Sequence, residues 1–343
     1  MTIYDISKQA GVSIATVSRV LNQSSNVKES TRRKVMAIIE EYGYHPNAFG
    51  RGLGSGSMKL IGIACTDASD IYISHAINYI EGAIRAFGYD TFLVVSGYPL
   101  ESRKRSVELL LERNVDAIIL IGSGYVDPIP ANNSFIEAAA KYTSVFLLNA
   151  ALDYHNVYSI FCDDEKATLQ STQWMIDQGI TDILFLHNTR SYSAMKKIIG
   201  FRKAFALNGL PISNIHQQFI SGSKDDFDLV ADRIHELKES GIDFSGIITT
   251  DDYLAVGAVK YAKFMGMDIP KDLMIIGYDN SILSRCCSPT ITTVDNNLKQ
   301  LCHLLCETVF AVLVKEDAVA MQSLDGELIH RETTETRNFR LNK

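Results

Sequence analysis

Four nearly unbroken apolar runs constrain this 343-residue chain more than any other feature: LIGIAC from Leu60, TFLVVS from Thr91, AIILIG from Ala117 and SVFLLN from Ser144. Runs that do not alternate with polar residues belong to parallel strands covered on both faces. Amphipathic stretches at 71–87, 101–113 and 134–142 fall between them and read as crossover helices, so residues 60 to about 160 predict a doubly wound lobe. The pattern then repeats. DILFLH, HQQFI, GIITT and LMIIGYD alternate with helices expected over 165–178, 193–208, 224–240 and 252–265. A hydrophobic content of 46% over this length is enough for two such cores and a small additional head.

The first 22 residues follow another rule. Residues 4–10 carry apolar side chains at helical spacing, Gly11 stands where the chain must turn, and Ser13 is placed to cap a second helix beginning at Ile14. Val17, Val20 and Leu21 of that helix can pack on Ile6 and Ala10, leaving Ile14, Ala15, Thr16, Ser18 and Arg19 outward. A third helix is expected over 28–42, stopped by Gly43-Tyr44-His45-Pro46. The head is thus all-α, a helix-turn-helix before an α/β body. Residues 1–60 hold eight Lys or Arg and four acids, about +4, whereas the whole chain is −7, leaving about −11 on the remainder. This split suits a DNA-reading head on an acidic body.

No run approaches the roughly 20 apolar residues of a membrane span, and the N-terminus is not a signal peptide, so a cytoplasmic protein without a membrane partner is expected. The six cysteines form no CxxC pair, and Cys302 and Cys306, four apart on an expected helix, read as buried thiols. Neither a metal nor a cofactor is expected. GxSxG, GKS/T and HExxH are absent, and Gly52, Gly54 and Gly56 lack the spacing of a dinucleotide loop, so an enzyme is not expected.

TIYDISKQAGVSIATVSRVLN, NVKESTRRKV, YGYHPNAFGRGL, LIGIACTD and the later GYDNSILSRCCSPTITTVDNN together resemble the lactose-repressor and galactose-repressor family over essentially the full length. The resemblance implies a head at 1–46, a hinge at 47–58 and a periplasmic-binding-protein-like body at 59–343. It further implies that the chain crosses between lobes three times, with lobe one at 59–161 and 291–320 and lobe two at 162–290 and 321–340. Ile14, Ala15 and Arg19 would read bases, and Leu53 would wedge into the minor groove. Thr2, Ser13, Thr16, Ser18, Asn22, Asn26, Thr31, Tyr44 and Asn47 would hold backbone phosphates. Gly50, Gly52 and Gly54 depart from the helix-friendly hinge of the family, opposing a hinge helix by about 1 kcal/mol each.

In the body the resemblance assigns effector binding to Asp70, Tyr72, Asn149, Phe161, Lys197, Asp251 and Asp279, with Tyr192 and His187 as weaker candidates. Lys197 stands where the family has an arginine, Asp251 where many relatives have asparagine, and Asn149 where many have aspartate. Three carboxylates against one lysine favour a neutral or amine-bearing sugar over a sugar phosphate. The implied function is a homodimeric repressor that binds a palindromic operator in double-stranded DNA under control of a small-molecule effector, a sugar or sugar-like ligand. Two alternatives remain open: a catabolite regulator controlled by a phosphorylated carrier protein, and a solute-binding protein.

Overall fold

The computed structural model describes residues 2–21, 24–44, 57–213, 216–223 and 225–335. Asn22, Asn47, Leu53 and the hinge glycines lie outside them. The chain divides into two compact units, residues 1–60 and 61–343.

The first unit holds α1 (Ile3–Ala10), α2 (Ile14–Leu21) and α3 (Glu29–Glu41). Thr2 and Asp5 form a reciprocal capping box at the start of α1, and Gly11 ends that helix with φ 65°, a left-handed conformation that glycine adopts without a Cβ penalty. Ser13 Oγ accepts from the Thr16 amide at 3.1 Å, closing the start of α2. Ile6, Ala10, Val17, Val20, Val35 and Ile39 form the core, which includes the α1–α2 contact expected from the sequence.

Among the described residues the second unit contains two six-stranded sheets. In chain order its elements are β1 (Leu60–Cys65), α4 (Ile71–Ala86), β2 (Asp90–Val95), α5 (Leu100–Glu112), β3 (Ala117–Ile121), α6 (Ser134–Ala140), β4 (Ser144–Leu148) and β5 (Val157–Cys162). Next come α7 (Asp164–Asp177), β6 (Ile183–His187), α8 (Tyr192–Leu207), β7 (Gln217–Phe219), α9 (Phe227–Glu239), β8 (Gly246–Thr249), α10 (Asp252–Phe264) and β9 (Met274–Tyr278). The last are α11 (Ile282–Cys286), β10 (Thr292–Asp295), α12 (Leu298–Leu313), β11 (Met321–Leu324) and β12 (Glu327–Ile329). The first sheet runs β11-β5-β4-β3-β1-β2 and the second β12-β10-β9-β8-β6-β7. β12 pairs antiparallel with β10, whereas β9, β8, β6 and β7 pair in parallel.

The chain passes between the sheets after β5, after β10 and between β11 and β12. Two of the expected lobe boundaries move. Residues 291–295, expected in lobe one, carry β10 and pair with β9 of the second sheet. Residues 321–324, expected in lobe two, carry β11 and pair with β5 of the first. The cause is chemical: Thr292 and Thr293 are fully buried through hydrogen bonds to Thr333, Thr334 and Asp252, so a core strand lacks the apolar pattern of one. α12 packs in the first lobe, with Leu301, Cys302, Leu305, Cys306 and Val309 in its core. All three crossings meet at Gly326, where an added Cβ would stand 2.8 Å from Ala167 Cβ, 3.0 Å from Val294 Cγ1 and 3.3 Å from Cys162 Sγ.

Candidate functional site

In the head, packing Val17 and Val20 inward turns the opposite face of α2 to solvent. Ile14, Ala15 and Arg19 are exposed, and Thr16 and Ser18 half-buried. Two of the expected phosphate contacts have local duties, since Thr2 and Ser13 cap α1 and α2. Asn26 is exposed, Thr31 half-buried, and Tyr44 packs against the head core. Arg32 is taken up by the Ser24 carbonyl at 2.5 Å, and Arg33 by Glu29 at 3.3 Å.

In the body, a cavity of about 630 Å³ opens between the lobes. Its wall is built from residues that follow strands: Thr66 after β1, Gly122 to Gly124 after β3, Asn149 after β4, Asn188 after β6, Thr250 and Asp251 after β8, and Asp279 after β9. This is the carboxyl edge at which doubly wound sheets take ligands. Six of the seven expected effector residues line it: Asp70, Tyr72, Asn149, Lys197, Asp251 and Asp279. Phe161 does not. Its ring meets Tyr192 edge to face at 6.2 Å instead, and neither aromatic lines the cavity. His187 is buried beside it, with Nδ1 donating to the Thr189 carbonyl at 3.2 Å, and burial pushes its pKa down.

Local structure aims the carboxylates. Asp70 and Asp251 cap α4 and α10, accepting from the amides of Ile73 and Leu254, each at 2.9 Å. Asp251 also accepts from Asn188 Nδ2 at 3.0 Å. Asp279 sits at φ 96° and accepts from Asn296 Nδ2 at 2.8 Å. Burial raises the pKa of Asp251 and carries that of Asp279 well above the carboxylate range, with the Lys197 ammonium opposing the shift. Lys197 itself is buried. It donates to the Thr250 carbonyl at 2.8 Å, and its ammonium lies 3.4 Å from the centroid of the Tyr278 ring, whose hydroxyl donates to Asp164 at 2.6 Å. The hydroxyl of Tyr72, Oδ1 of Asn149 and Oγ1 of Thr250 are buried and have no hydrogen-bond partner among the described residues. Ser123 of the first lobe donates to Ser191 of the second at 2.9 Å, joining the lobes at the cavity wall.

Sequence reasoning missed three contributors. Arg103 of α5 is buried and donates to the carbonyls of Gly124 and Tyr125 at 2.5 and 3.1 Å, fixing the loop after β3. Tyr98 and Phe219 line the cavity yet remain 61% and 42% exposed. Such side chains lie in loops or at strand ends and give no periodic signal; their one mark is that an exposed aromatic or a buried arginine demands a reason. Among the described residues no group of histidine, cysteine or carboxylate side chains is arranged to hold a metal ion, and no helix is long and apolar enough to cross a membrane.

Comparison with known proteins places this geometry. Residues 2–47 match the profile of bacterial regulatory proteins, lacI family, and residues 172–334 that of the periplasmic binding protein-like domain. The lac repressor dimer bound to operator and the anti-inducer ONPF has the same fold, with a TM-score of 0.83 at 24% identity over 97% of this chain and 99% of that one. Catabolite control protein A of Priestia megaterium is 31% identical over 297 residues, 86% of this chain and 87% of that protein. An HTH-type transcriptional regulator of Lachnoclostridium phytofermentans is 39% identical over 335 residues, 97% of this chain and 99% of the relative. With a matching head, a matching body and relatives of this length and identity, the chain belongs to the lacI family of bacterial transcriptional regulators.

Proposed function

We propose that this regulator is a homodimeric repressor that binds a palindromic operator and is controlled by a neutral, polyhydroxylated ligand, a sugar, held between the lobes of its body. The observation that carries the reading is the cavity wall, where carboxyl groups, two carboxamides and one lysine converge from both lobes at the strand ends. Carboxylates pair well with neighbouring sugar hydroxyls, and the unpartnered oxygens of Tyr72, Asn149 and Thr250 gain from any donor brought to them. Lys197, the buried cation of this wall, is already engaged by the Thr250 carbonyl and the Tyr278 ring, which disfavours a phosphorylated sugar. In the head, Arg19 reads guanine, and Ile14 and Ala15 contact thymine methyls. Leu53, outside the described residues, enters the minor groove.

The test joins two titrations. Thermal unfolding against neutral sugars, amino sugars and sugar phosphates finds the effector, because a ligand at about 100 times its dissociation constant stabilises by about 2.7 kcal/mol. Operator titration with and without it then gives the sign of control. Arg19→Ala is expected to lose about 1–3 kcal/mol of discrimination at one base pair of each half-site. Stabilisation by sugar phosphates alone would overturn the neutral-ligand reading. Stabilisation by no small molecule favours the carrier-protein reading, which the likeness to catabolite control protein A supports.

A further inference from the structure

In each lobe the cavity spans the ends of four strands. In the first lobe the polar anchor Asn149 follows β4 and the aromatic Tyr98 follows β2, and in the sheet these strands stand three places apart, as β4-β3-β1-β2. The second lobe repeats the spacing: Asp279 follows β9, Phe219 ends β7, and the order is β9-β8-β6-β7. Neighbouring strands lie about 4.8 Å apart, so in each lobe roughly 14 Å of sheet separates the strand that carries the polar anchor from the strand that carries the aromatic. One six-membered ring covers only part of that span.

Volume points the same way. Allowing each of a hexose's about twelve heavy atoms the roughly 30 Å³ that a water takes in the liquid gives an upper bound near 360 Å³, little more than half of the cavity's 630 Å³. Both aromatics have side-chain neighbours on the wall. The Tyr98 hydroxyl donates to Asp67 at 3.5 Å, and the Phe219 ring has the His187 ring edge-on at 5.3 Å and the Arg190 guanidinium 5.7 Å from its centroid. Aromatic rings on a cavity wall suit the apolar C–H faces of pyranose rings.

We propose that the effector is an oligosaccharide of at least two pyranose units, one gripped by Asn149, Lys197, Asp251 and Asp279 and the next received at the rim by Tyr98 and Phe219. This rests on the sugar reading above. The rim pair then selects for chain length, while the floor selects for hydroxyl configuration.

The experiment is isothermal titration of the full-length protein with glucose, galactose, mannose and xylose, and with di- and trisaccharides built from each. For the configuration that binds, the disaccharide is expected to bind at least tenfold more tightly than its monosaccharide. In Phe219→Ala and Tyr98→Ala that ratio collapses towards one, and Phe219→Trp restores it, with circular dichroism of the unliganded variants reporting their folding. A monosaccharide that binds as tightly as its disaccharide overturns the length proposal and leaves the sugar reading intact. So does a preference that survives both alanine substitutions. If no sugar of any length binds, both readings fall.

Discussion

Asp252 follows Asp251 in the chain but serves the fold. Its carboxylate accepts from the amide and hydroxyl of Ser281 and from the hydroxyl of Thr293, tying α10 to α11 and β10. Burial raises its pKa from 3.8 to about 6. Between those values the folded protein keeps a proton that the unfolded chain has lost. The resulting stabilisation is whole below pH 3.8 and lost as pH rises through about 6, at most about 3 kcal/mol. Asp252→Asn can donate to Thr293 and accept from Ser281 without titrating. Urea unfolding of both proteins should therefore show wild type gaining on the variant as pH falls from 6 to 4, and a pH-independent difference would refute this account. Arg103→Ala is expected to cost about 2–4 kcal/mol, because it strips the carbonyls of Gly124 and Tyr125 of their donor, and to weaken effector binding by loosening the cavity wall; unchanged stability and affinity would exclude that role.

Among the elements, the helices were the most legible part of the sequence because their 3.6-residue periodicity survives wherever one face meets a sheet. The strands that went unread are β5, β10, β11 and β12. VYSIFC and TTVD mix hydroxyl side chains into buried positions, and MQSL and ELI are short runs at sheet edges, so hydrophobicity marks none of them. The polar floor of the cavity was legible through family resemblance, whereas its aromatic rim was not, since nothing local distinguishes Tyr98 from any loop tyrosine. A tight helix pair is equally silent. Gly200 of α8 faces α7 so closely that a Cβ would run into the Glu165 carbonyl oxygen and stand 3.0 Å from the Leu169 amide nitrogen. Both are backbone atoms within a helix and cannot step aside. Gly200→Ala should cost about 3 kcal/mol or more, read as a lowered urea midpoint, and a loss below about 1 kcal/mol would mean that the helices separate freely.

At the scale of the whole molecule, control of DNA by a ligand in the body is a coupling free energy and must act in both directions. The factor by which the effector changes operator affinity should equal the factor by which operator changes effector affinity, and unequal factors in the two titrations would show that a further equilibrium, such as subunit association, takes part. Gly326 sets a stricter condition of its own. Its missing side chain lets the three crossings close on one point, and any larger residue there has to push Ala167, Val294 or Cys162 aside. The junction of the lobes is therefore a keyhole cut to the width of a bare backbone.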